Sequence, residues 1–79
     1  MLKIDNFDDC LIGKACVWGE KGFRTDRLIY DGEAMMAVLM HRDKMEYEEA
    51  LEYIQFNIEG AYVGASTPIV VWPVDDEDL

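Results

Sequence analysis

Between Tyr47 and Glu59, the residues Tyr47, Ala50, Leu51, Ile54 and Ile58 recur at the spacing that places them on one face of an α-helix. The opposite arc of the same wheel holds Glu48, Glu49, Glu52, Phe56 and Glu59, with Tyr53 at its edge. A segment patterned in this way presses its apolar stripe onto a core and keeps its carboxylates wet. The fold must therefore supply an apolar surface for this helix and leave its other side open. Met45 and Ala50 are placed for a hydrophobic staple across the helix start, and Glu49 stands where a capping box needs a carboxylate. Glu46 is a poorer N-cap than Ser or Asp. Gly60 is the expected C-terminal stop.

The rest of the chain supplies the partners of that stripe. Asp31 is a good N-cap, and residues 32–42 (GEAMMAVLMHR) favour a helix with Met35, Met36, Leu39 and Met40 on one arc and Glu33, Ala37 and His41 on the other. The methionines Met35, Met36 and Met40 fit unbranched core filling better than an adaptable binding surface. Residues 10–19 (CLIGKACVWG) suit a strand covered on both faces, Glu20-Lys21-Gly22 a turn, and residues 24–30 (RTDRLIY) a second strand paired with the first. Residues 64–68 (GASTP) make a loop before a short apolar strand, Ile69 to Trp72, which Pro73 ends. The order strand, strand, helix, helix, strand implies an α+β domain over residues 1–74, a small antiparallel three-stranded sheet with two helices on one face. Residues 75–79 are expected to form a frayed acidic tail.

Charge is divided unequally along this order. Lys44 is the last cation, and the 35 residues after it carry nine carboxylates, so nearly all of the formal charge of −10 lies on one half of a 79-residue chain. Such a field repels nucleic acid and anionic membrane and attracts basic surfaces. Plain solubility is the competing explanation. No run of residues reaches the roughly 18 apolar positions of a membrane span, and Asp5, Asp8 and Asp9 interrupt the amino terminus before a signal-peptide core develops. Cys10 and Cys16 on one strand would lie about 20 Å apart, beyond disulfide reach, so reduced thiols and the cytoplasm are expected.

Few residues carry chemistry. His41 is the only histidine and Ser66 the only serine, and His41 projects from the last turn of a helix, where the dipole stabilises it. No glycine-rich loop opens a helix for phosphate, and two cysteines and one histidine lack zinc spacing. The tail acids have no calcium-loop spacing. Neither catalytic, metal nor cofactor residues are assigned. Direct nucleic-acid binding is disfavoured, because Lys14, Lys21, Arg24, Arg27 and Arg42 have acidic neighbours. The candidate binding residues are Glu48, Glu49, Glu52, Tyr53, Phe56 and Glu59, joined by Asp75, Asp76, Glu77 and Asp78. The helical carboxylates form a ridge about 16 Å long, at steps near those at which nucleic-acid-binding proteins place cations for phosphates. Phe56, an aromatic ringed by charge, has the make-up of an interface hot spot.

The string from Leu28 onward, with Tyr30-Asp31, Leu39 to Asp43, Met45 to Ala50, Asn57 to Gly64 and Thr67-Pro68, resembles a group of small acidic proteins of phages, plasmids and bacterial chromosomes. Lys44 stands where that pattern has a glycine. The resemblance implies a mobile-element context without a settled activity. In such a context small acidic proteins include inhibitors of host defence, and anti-CRISPR proteins that mimic DNA are similar in size and charge. The expectation is a non-catalytic inhibitor whose acidic face blocks the cationic groove of a nucleic-acid-binding protein, such as a CRISPR effector subunit. The alternative is a small interaction or regulatory module that binds a peptide or a copy of itself. A small hydrolytic enzyme ranks third.

Overall fold

The computed structural model describes residues 2–19, 22–61, 64 and 66–79. Its elements run β1 (Leu11–Trp18), β2 (Arg24–Asp31), α1 (Gly32–Arg42), α2 (Tyr47–Ile54) and β3 (Ile69–Val71), the expected β-β-α-α-β order of an α+β fold. Glu20 and Lys21 of the expected turn, Tyr62 and Val63 of the Asn57 to Gly64 motif, and Ala65 of the expected loop lie outside the described residues.

The sheet has strand order β1-β2-β3 and is mixed rather than antiparallel. β1 and β2 form the expected hairpin, but β3 runs parallel to β2, with Ile29, Tyr30 and Asp31 opposite Ile69, Val70 and Val71. The helices supply the reason. A parallel neighbour cannot follow by a tight turn, and α1, α2 and the chain that follows them make up the long crossover between Asp31 and Ile69. Leu28 and Tyr30 point to one face of β2, and Val70 lies beside Tyr30 on the same face. Met35, Met36, Leu39, Ala50 and Ile54 close over them to make the core. Both helices thus pack on one face of the sheet.

Helix α1 begins as its sequence requires: Asp31 Oδ1 accepts hydrogen bonds from the Glu33 and Ala34 amides at 3.1 and 3.5 Å. Of its apolar arc, Met35, Met36 and Leu39 are buried, whereas Met40 is exposed. At its far end Arg42 grips Asp43 through two hydrogen bonds and donates a third to the Asn6 carbonyl at 2.8 Å. The guanidinium also lies over the Phe7 ring, 5.4 Å from its centroid. The hydrogen bond from Arg42 holds the Asp43 carboxyl below its ordinary range. The contribution of this fork is present at neutral pH and lost as acid protonates Asp43.

The turn between the helices passes through Lys44 at φ +58°, in the left-handed region that glycine favours. The glycine of the resembling pattern therefore fits the backbone drawn here by a lysine. Lys44→Gly should raise stability by up to about 1 kcal/mol, since relief of that strain outweighs the added freedom of the unfolded chain. Urea titration is the measurement.

Two features of β1 depart from expectation. No residue of the strand is buried, although residues 10–19 suit a strand covered on both faces. β1 is an edge strand of the sheet, with Leu11, Ile12 and Trp18 exposed. Cys10, just before it, is buried, whereas Cys16 is exposed; both are free thiols. Burial pushes the Cys10 thiol up, which keeps it protonated.

Candidate functional site

Helix α2 starts after Glu46, whose side chain makes no cap hydrogen bond, so the expected capping box does not form. Ala50, on the inner side, is buried, and Met45 packs against the core as a staple would. Glu48 and Glu49 fall in the first turn, where carboxylates favour the positive end of the helix dipole. Ala50 and Ile54 are fully buried, and Leu51 and Ile58 half-buried, as the stripe predicts. Tyr47 is the exception at 61 % exposure: it faces solvent instead of the core.

The last turn is not α-helical. Gln55–Glu59 form a π-helical turn, closed by the Gly60 amide donating to the Gln55 carbonyl at 2.9 Å. The wider turn moves residues after Ile54 backward relative to the α-helical wheel. Gly60 has φ −78° and is no left-handed cap; a Cβ there would lie 3.1 Å from the Gln55 oxygen, so close approach is what calls for glycine. Glu59 remains exposed and accepts a hydrogen bond from Trp72 Nε1 at 3.2 Å. Trp72 in turn lies over Gly32, where a Cβ would stand 2.7 Å from the indole.

Glu48, Glu49, Glu52, Tyr53 and Phe56 all remain exposed on α2 and its π turn, and Phe56 is 76 % exposed. Among the described residues the ion pairs are Lys3–Asp8, Lys14–Asp26, Arg24–Asp26 and Arg42–Asp43. Every one of them lies before Lys44, and none engages a carboxylate of the acidic half. The tail is ordered differently from a frayed end. Asp76–Asp78 form a 3-10 turn, in which the Asp75 amide donates to Asp78 Oδ2 at 2.9 Å. Asp75, Asp76, Glu77 and Asp78 are exposed.

Sequence reasoning missed a neighbouring groove. Met36, Met40, Tyr47, Trp72 and Pro73 line it, with Glu33, His41 and Asp75 among its polar residues. It joins the start of α2 to the start of the tail. The methionine spacing held a signal of it, but Met35 and Met36 serve the core and only Met40 is exposed. The other visible sign, Tyr47, fits the helical stripe equally well and so points inward on a wheel.

Among the described residues no three His, Cys, Asp or Glu side chains cluster as metal donors, and no helix is long and apolar enough to cross a membrane. No family model matches the chain, and neither a curated protein nor a solved structure is significantly similar to it.

Proposed function

We propose that this protein is a non-catalytic binding inhibitor that presents Glu48, Glu49, Glu52 and the tail acids to the cationic groove of a nucleic-acid-binding protein. A CRISPR effector subunit is a target of the right chemistry. The observation that carries the reading is the exposed Phe56 ring beside carboxylates that, among the described residues, form no ion pair. Leaving such a ring in water is unfavourable, and the same ring placed in a partner's pocket becomes an anchor. The unpaired carboxylates steer approach and meet the lysines and arginines that would otherwise hold phosphates. Glu59, engaged by Trp72, stiffens the end of this surface more than it extends it.

The test is capture of a target from bacterial extract on the immobilised protein, followed by titration with salt and with duplex DNA. Binding should weaken steeply with salt, and DNA should compete. Phe56→Ala should lower affinity by about 2 kcal/mol, near 30-fold, while changing stability by less than about 0.5 kcal/mol. The apolar groove of Met40, Tyr47 and Trp72 favours a second reading, an interaction module for a peptide. Capture that persists at high salt, is indifferent to DNA and is lost in Tyr47→Ala would select that reading.

A further inference from the structure

The groove beside α2 arises from the spacing of residues on α1. Glu33, Met36, Ala37, Met40 and His41 recur at the i, i+3, i+4, i+7 and i+8 positions that make one stripe along that helix. Met36 anchors the stripe in the core, and the other four are exposed. Ala37 is too short to fill the space between its neighbours. Across the gap stand Tyr47, in the first turn of α2, and the chain that leaves β3 through Trp72, Pro73 and Asp75. The cavity so bounded has a volume of about 530 Å³, more than one side chain fills.

Trp72 is its fixed wall. Gly32 lies so close to the indole that a Cβ there would meet it at 2.7 Å, and the indole N–H is taken by Glu59 at 3.2 Å. Those two contacts set the orientation of the ring, yet Trp72 is still 37 % exposed and lines the groove. Binding need not order an aromatic surface that is already held, so little entropy is lost in engaging it. Tyr47 adds a second ring, and the flexible Met40 thioether adapts to what lies beside them.

Charge selects the occupant. Glu33 and Asp75 bring carboxylates to the groove, and among the described residues no lysine or arginine lines it. Neither carboxylate takes part in an ion pair among the described residues. Asp76, Glu77 and Asp78 follow directly in the 3-10 turn and add to the negative potential. An anion is repelled from such a place, and so is a second copy of a chain of charge −10. A purely apolar ligand would strip water from the two carboxylates and offer them nothing in return. A cation on an apolar stem suits both kinds of wall.

We infer that this groove is a docking site for an arginine side chain carried on a partner's basic segment. The guanidinium stacks on the Trp72 indole and donates edgewise to carboxylate, while its methylene stem lies along Met40 and Tyr47. Hydration favours arginine over lysine. A guanidinium is weakly hydrated and gives up its water to an aromatic wall, whereas an ammonium holds its water tightly. The volume left over admits the residues that flank the arginine. This inference rests on the peptide reading of the groove and names the side chain that such a peptide must carry.

The test titrates the pure, isotope-labelled protein with acetyl-Ala-Ala-Arg-Ala-Ala-amide and follows the two indole N–H resonances by NMR. Trp72 should shift, and Trp18, which does not line the groove, should stay. Peptides with citrulline, lysine or trimethyllysine in place of the arginine complete the set. Citrulline keeps the shape without the charge and should bind about tenfold more weakly. Lysine and trimethyllysine keep the charge without the planar fork and should bind about threefold more weakly. Added salt should loosen the arginine complex. Tyr47→Ala should lower arginine affinity about fivefold, and so should Glu33→Gln combined with Asp75→Asn. All three positions are exposed, so circular dichroism should show the fold unchanged. Citrulline bound as tightly as arginine would overturn the inference and leave the groove a peptide site that ignores charge. Trimethyllysine bound as tightly as arginine would also overturn it, by assigning the groove to a cation that donates no hydrogen bond. Equal shifts of both indoles would defeat it by showing general stacking on the surface. No shift at Trp72 with any of the four peptides would defeat it too, while the peptide reading still answers to target capture and Tyr47→Ala.

Discussion

Ile54→Ala is expected to remove about 2–4 kcal/mol of stability, which for a domain this size is a large share of a total near 4–12 kcal/mol. Ile54 has no exposed surface and belongs to the same cluster as Tyr30, Met35, Leu39 and Ala50. It joins α2 to both α1 and the sheet, so its truncation opens a cavity where three elements meet. Neighbours there cannot easily collapse into the space: Ala50 has nothing to extend, and Tyr30 is held by its hydroxyl, which accepts a hydrogen bond from the Ile4 amide at 3.0 Å. Urea titration should show a lower midpoint with the slope unchanged. A shift near zero would mean that α2 presents a different face to the core and that its acidic side is not free.

Charge reversal on the other side of the same helix should do the opposite. Glu48→Lys combined with Glu52→Lys should cost at most about 1 kcal/mol of stability, chiefly through loss of the favourable carboxylate near the helix start. Target binding should fall by a hundredfold or more, roughly 3 kcal/mol, because two attractions become two repulsions at an electrostatically matched surface. The salt dependence of the remaining binding should flatten too. Circular dichroism separates the outcomes: a folded variant that binds as the parent does would end the mimic reading. A variant that unfolds would instead discredit the placement of Glu48 and Glu52 at the surface.

The contrast between those two variants reflects what was legible in the sequence. The apolar stripe of α2 and the cap at Asp31 follow local rules, and the structure keeps both. Exposure of Phe56 was legible for the same reason, since it stands opposite that stripe. The errors occur where the deciding contact is remote. Residues 10–19 are apolar enough for a covered strand, but cover depends on what the rest of the fold packs against it, and no residue of β1 is buried. The direction of β3 could not be taken from Ile69 to Val71, because three apolar residues fit either ladder. The hydrogen bond between Trp72 and Glu59 was not legible, because a helical wheel assumes a constant turn and the π turn after Ile54 breaks it. Tyr47 was assigned inward by the same wheel, although a residue in the first turn of a helix can still lie beyond the edge of the core.

The parallel pairing of β3 also sets an order in time. Ile29 meets Ile69 only after the intervening chain has been brought round, whereas the hairpin and each helix close over a few residues. The entropy of closing that long loop must be met before its contacts give anything back, so local elements form first and β3 is the last to dock. During synthesis the interval is imposed outright: β2 emerges with Ile29, Tyr30 and Asp31 lacking their neighbour, and the wait lasts until Val71 has left the ribosome. Within that interval, the Ile29–Asp31 stretch of β2 is an open edge that the finished sheet no longer has.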